Sequence, residues 1–157
     1  MPSNVTAKIK SALKRRETVI MLLAAVVFAI AVFGFQAWAT RDRTLVVGGH
    51  AYALETAISR DEQDRGLSGR KSLDKDKGML FVLRTNDKHC FWMKDMQFPL
   101  DIIWLDETGK VVHIEHEVSP DTYPEAICPS QNAQYVIELN AGQAAEAGIL
   151  EGRVVTF

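Results

Sequence analysis

The stretch from His89 to Asp106, HCFWMKDMQFPLDIIWLD, most constrains what this chain can fold into. It reads as an aromatic strand near Cys90 to Met93, a Lys94-Asp95 break, Pro99, and a second strand over Leu100 to Leu105 with Asp101 set into it. Pro99 has no N–H to offer a ladder and therefore marks the start of that second strand. A carboxylate on a core-facing strand needs a partner, so the stretch has to be completed by residues from elsewhere in the chain.

The flanking sequence supplies more short strands separated by turns. Leu45 to Val47 and Ala51 to Ala57 flank Gly48-Gly49, a hairpin pattern. Ser59 and Glu62 have capping-box spacing and predict a short helix over Arg60 to Arg65 that stops at Gly66. A strand follows from Met79 to Leu83, with a turn at Asn86-Asp87. Glu107 to Lys110 reads as a hairpin turn and Val111 to Val118 as a half-exposed strand. Ser119 to Asn132 holds three of the five prolines and reads as a long loop. Gln134 to Leu139 is a further strand, Asn140 is placed to cap a short helix ending at Gly148, and Val154 to Phe157 forms the last strand. Seven or so strands with only two short helices predict a mainly β domain, a small antiparallel β-barrel or sandwich.

Before this domain lies a different kind of segment. Residues 19–35 read VIMLLAAVVFAIAVFGF, about 17 residues without a charge, extended by Gln36 to Trp38 to a length that crosses a bilayer. Lys8, Lys10, Lys14, Arg15 and Arg16 precede it, which predicts a cytoplasmic N-terminus and an exported domain. The organisation expected is a basic leader over 1–18, a transmembrane signal anchor over 19–39 and an extracytoplasmic β domain over 40–157. Ala37-Trp38-Ala39 also has the form of a signal-peptidase site, so cleavage after Ala39 would release the domain instead. The expected location is thus the bacterial inner membrane, with the domain periplasmic or at the cell surface. A formal net charge of -2 gives no general basic field, which argues against nucleic acid as a partner.

In order along the chain, GLSGRKSL, GMLFVL, FWMKDMQFPLDIIWLD, YVIELNAG and AGILEG together resemble the family known as domain of unknown function 192, over most of Ala51 to Phe157. The resemblance implies a compact, largely β domain, often exported in bacteria, and brings no reaction with it. Asp95 stands where that family usually has Asn.

Cys90 and Cys128 are the two cysteines, and in an exported domain they are expected to pair. The ligand-binding candidates are Arg70, Lys94, Asp101, Glu138, Trp92 and Asn140. Arg70 and Lys94 are the cations placed to meet Asp101 and Glu138, either as an ion-pair cluster or as a cleft in which Asp101 is acceptor or general base. His113, Glu115, Glu117 and His116 along one strand, and His89, Met93 and Met96 near Cys90, read as polar surface and core packing rather than metal ligands. No P-loop, GxSxG or HExxH occurs, and neither metal nor cofactor is expected. The leading expectation is a membrane-anchored extracytoplasmic binding or accessory module for an envelope component or another exported protein. An envelope hydrolase or transferase using Asp101 or Glu138 as acid/base is the alternative, and a purely structural protein the third.

Overall fold

The computed structural model describes residues 20–29 and 42–157. They belong to two compact units divided between Thr40 and Arg41. In the first, residues 20–29 form a helical segment, α1, with exposed side chains. Among the described residues no helix is long and apolar enough to cross a membrane. Val19 and residues 30–39 of the expected span, like the basic leader, lie outside the described residues.

The second unit begins with β1 (Arg43–Val47) and β2 (His50–Ala57), joined by the expected Gly48-Gly49 turn. Gly48 has φ +58, and a Cβ there would meet the carbonyl oxygen of Ala147 at 2.1 Å, so only glycine lets this turn dock where it does. Helix α2 (Arg60–Arg65) follows with its capping box formed. Ser59 Oγ accepts the Glu62 N–H at 3.3 Å, and Glu62 Oε2 accepts the Ser59 N–H at 2.8 Å. Then come β3 (Lys77–Asp87), β4 (Phe91–Trp92), β5 (Leu100–Leu105), β6 (Val111–Val118), β7 (Ala126–Ile127), β8 (Ala133–Asn140) and α3 (Gln143–Glu146).

Six of the strands form one sheet in the order β1-β2-β3-β8-β5-β6, and β4 pairs with β7 in a separate two-stranded ladder. The large sheet is mixed and open, which corrects the expectation of an antiparallel barrel or sandwich. Its pairs are antiparallel except β2 with β3, which run parallel. Parallel neighbours need a crossover of a dozen or more residues, and the segment from Ile58 to Asp76 that carries α2 provides it. The sheet ends at β1 and β6 rather than closing.

Closure is unnecessary because both faces of the sheet are covered. One face packs Leu45, Leu54, Leu80, Ile103, Ile137 and Leu139 against Ala144 and Ala147 of the α3 region. The other packs Phe81, Leu100, Ile102, Trp104 and Val136 against Leu67 and Met93. Every residue of β5 is buried, which is why its sequence runs apolar instead of alternating. Smaller departures from expectation follow from tertiary pairing. Strand β3 continues through Asn86-Asp87 because its end pairs with Ala133 of β8. Val154 makes only an isolated bridge to Lys110, so the predicted last strand is not formed.

Candidate functional site

Antiparallel neighbours directly opposite each other share a face of the sheet. Asp101 lies opposite Leu139, and Ile102 lies opposite Glu138. Asp101 and Glu138 therefore point to opposite faces, and the expected convergence of both carboxylates with Arg70 and Lys94 does not occur.

Asp101 is fully buried on the face covered by α3. Its Oδ1 accepts the Glu117 N–H at 2.9 Å and its Oδ2 accepts the Ala144 N–H at 2.8 Å. Glu117 has φ +52 and sits where the β5–β6 register shifts. One carboxylate thus holds an irregular point of β6 and the first turn of α3. Both oxygens are committed to backbone donors, which leaves Asp101 poorly placed as a general base. In Asp101→Asn an amide NH2 must face one of the two N–H donors whichever way the side chain turns. A loss of about 3 kcal/mol of unfolding free energy is expected from the two affected bonds. Urea titration of the variant checks this, and a loss below about 1 kcal/mol would count against it.

The other face carries the cavity. Glu138, on β8, is buried beneath an opening of about 230 Å³ whose walls include Leu67, Phe81, Phe91, Trp92 and Met96. Phe81 and Phe91 meet edge-to-face at 4.9 Å, and Phe91 meets Trp104 in the same way at 5.9 Å, so the aromatic wall is fixed by packing. Glu138 is 6% exposed, and its Oε2 has no hydrogen-bond partner among the described residues. Burial pushes this carboxyl up to about 8, against the smaller opposing pull of the Arg70 charge. At neutral pH it is therefore mostly a protonated acid, able both to donate and to accept a hydrogen bond.

Arg70 spends its guanidinium on Glu55 in a bidentate pair, with Nη1–Oε1 and Nη2–Oε2 both at 2.7 Å. The hydrogen bond from Arg70 holds the Glu55 carboxyl below its ordinary value, and the same bond raises Arg70. Glu55 lies opposite Met79, and Met79 lies opposite Glu138, so the Glu55–Arg70 pair and Glu138 share one face. Glu55 is a partner that the sequence reading missed. The signal for it was the alternation in β2, which places Glu55 on the same side as Ala57.

The remaining candidates divide. Trp92 is half-exposed and lines the cavity beside Glu138. Lys94 is exposed and contributes through its backbone carbonyl, which accepts Ser68 Oγ–H at 2.8 Å. Asp95 has φ +57, a conformation that Asn and Asp tolerate better than other side chains. Its carbonyl accepts the Gly69 N–H at 2.9 Å. An Asn/Asp exchange at this position therefore preserves what the backbone requires. Asn140 does not cap α3, whose N-cap is Gly142 without a side-chain bond. Its Nδ2 instead donates to the carbonyls of Leu73 and Asp74, at 3.1 and 3.2 Å, and ties that loop to β8.

Cys90 and Cys128 form a disulfide. It lies next to the β4–β7 ladder, in which Phe91 opposes Ile127 and Trp92 opposes Ala126. Two strands of two residues do not hold themselves together, so this covalent link fixes the cavity wall that carries Phe91 and Trp92. His113 Nδ1 lies 3.3 Å from Glu151 Oε1. Among the described residues no group of three or more His, Cys, Asp or Glu side chains is arranged to hold a metal ion.

Solved structures similar to this chain include two from bacteria. One is a protein of unknown function from Novosphingobium aromaticivorans, 32% identical, with a TM-score of 0.66 over 73% of this chain and 82% of that one. The other, from Sinorhizobium meliloti, is described as a candidate transcription regulator; it is 27% identical, with a TM-score of 0.66 over 72% of this chain and 89% of that one. No curated protein matches. The model of the DUF192 family, described as "Uncharacterized ACR", matches residues 43–157, the whole sheet and both of its covered faces, and the chain belongs to that family.

Proposed function

We propose that this chain is a membrane-anchored, extracytoplasmic binding module that holds a small ligand against Trp92 and over Glu138. The observation that carries this reading is a buried carboxyl with an unpartnered oxygen beneath an aromatic-walled opening. Buried polar groups are ordinarily satisfied, and an exception inside a cleft is a place where a ligand can supply the missing partner. A protonated Glu138 suits a ligand with a carbonyl or hydroxyl group attached to a flat or apolar body, which the neighbouring rings would accept. The ligand would be an envelope component or would be carried by another exported protein.

The location rests on two supports. The uncharged run over residues 19–35 follows a basic cluster, the order that positions a signal anchor with its domain outside. The disulfide is the kind of bond an oxidising compartment preserves.

A second reading is favoured by the raised pKa of Glu138, which fits a general acid in an envelope hydrolase or transferase. Glutamine separates the two. Glu138→Gln keeps a neutral donor and acceptor of the same shape but cannot transfer a proton. Native mass spectrometry of the full chain extracted from its own membranes tests both. A small molecule should be retained by the parent and by Glu138→Gln, lost from Glu138→Leu, and held about fivefold more weakly by Trp92→Ala if stacking contributes about 1 kcal/mol. Conversion of that molecule by the parent but not by Glu138→Gln would favour the enzyme. Retention of the same molecule by Glu138→Leu and Trp92→Ala would defeat both readings.

A further inference from the structure

We infer that a second cavity, on the face of the sheet opposite Glu138, binds a small neutral hydroxyl-bearing molecule between Tyr52 and Gln143. The cavity measures about 220 Å³, and its lining comprises His50, Ala51, Tyr52, Lys75, Asp76 and Gln143. Tyr52 belongs to β2 and Gln143 opens α3, so the site forms where the helix is laid over the sheet. It is separate from the Glu138 cleft and does not depend on that reading.

Two side chains that line this one space each carry a buried polar atom without a partner. Tyr52 is 2% exposed and Gln143 4% exposed, yet Tyr52 Oη and Gln143 Oε1 make no hydrogen bond among the described residues. Leaving a single buried polar atom unpaired is already costly, and two in one cavity point to a shared partner. The orientation of the Gln143 amide is set by its own Nε2, which donates to the Lys75 carbonyl, so the oxygen is the end left over.

The chemistry of those two atoms narrows the ligand. Gln143 Oε1 only accepts, while the Tyr52 hydroxyl both donates and accepts. Burial, with Glu146 and Asp101 nearby, raises the Tyr52 pKa and keeps it a neutral phenol. A hydroxyl group can donate to the amide oxygen and accept from the phenol at once. A carboxylate cannot donate and would meet Asp76. An ammonium ion cannot accept from the phenol, and the charge of Glu146 is already engaged by Lys75 Nζ at 3.2 Å. His50 stacks on Tyr52 with ring centroids 6.2 Å apart and planes inclined by 17°, which adds a flat wall suited to the C–H face of a sugar ring. The volume lies below the roughly 300–1,000 Å³ of sites for drug-sized molecules, so the ligand is of glycerol to monosaccharide size.

Saturation-transfer NMR on the full chain in a zwitterionic detergent tests this, with methyl α-glucoside, myo-inositol and glycerol as probes and ethanolamine and acetamide alongside. At least one polyol should receive saturation from the parent and bind at least about tenfold more weakly to Tyr52→Phe, which removes one hydrogen-bonding atom. The cyclic and acyclic probes distinguish a sugar ring from a glycerol group, and a response to either supports the site. Tyr52→Phe should melt no lower than the parent, because it removes a buried group that has no partner. The inference is overturned if no polyol responds, if parent and variant respond equally, or if only ethanolamine or acetamide binds. It is also overturned if Tyr52→Phe melts several degrees lower, since the hydroxyl would then have a structural partner such as a bridging water.

Discussion

Raising the pH from 5 to 9 should lower the unfolding free energy by about 4 kcal/mol through Glu138 alone. The carboxyl releases its proton near 8 in the folded chain and near its ordinary value of 4.5 once unfolded. Between those values the folded state holds the extra proton, so stability falls as pH rises. The contribution is complete below the unfolded value and gone above the folded one. Glu55, Glu62 and Asp106 are shifted the opposite way, so what they contribute is present at neutral pH and lost only on acidification, outside this window. Urea titrations at several pH values, on the parent and on Glu138→Gln, isolate the effect. The parent curve should slope downward through this range and the variant should be nearly flat. Equal slopes would mean that Glu138 is not the group responsible.

Reduction of the Cys90–Cys128 bond should cost about 4 kcal/mol, the chain-entropy value for a loop closed between residues 38 positions apart. The effect should also be local, because the bond secures β4, whose Trp92 lines the Glu138 cavity. A Cys90→Ala/Cys128→Ala variant should therefore show a lower urea midpoint and faster quenching of Trp92 fluorescence by acrylamide. The fully buried Trp104 should stay protected until global unfolding. With Trp38, the third tryptophan, replaced by Phe in both proteins, quenching that rises equally for Trp92 and Trp104 at low denaturant would point to general loosening rather than loss of one wall.

How much of this was legible in the sequence depended on the range of the interaction. The Gly48-Gly49 hairpin, the capping box of Ser59 and Glu62, and the strands around Leu100 to Leu105 and Val111 to Val118 follow from neighbouring residues, and they form as read. The parallel pairing of β2 with β3 could not be read in this way, because it depends on where a nineteen-residue crossover, Ile58 to Asp76, delivers the chain. Parity along a single strand puts Asp101 on the side of Ile103 and Glu138 on the side of Val136. What parity could not supply was the relative phase of β5 and β8, and that phase sends the two carboxylates to opposite faces. The sequence places Arg70 to meet Asp101 and Glu138, but its partner Glu55 lies fifteen positions away, on the strand that follows the Gly48-Gly49 turn.

That phase gives Asp101 a role beyond its two hydrogen bonds. A strand buried on both sides has no inside and outside to distinguish, so hydrophobicity alone would let β5 slide by one residue against β8 at little loss of burial. The carboxylate removes that freedom. Any slip by one residue would carry it away from the Glu117 and Ala144 N–H groups and turn it toward the aromatic face, as an unpaired buried charge. Asp101 thus acts as a key admitting one alignment of the central strand, and the position of Glu138 beneath its cavity is inherited from that choice.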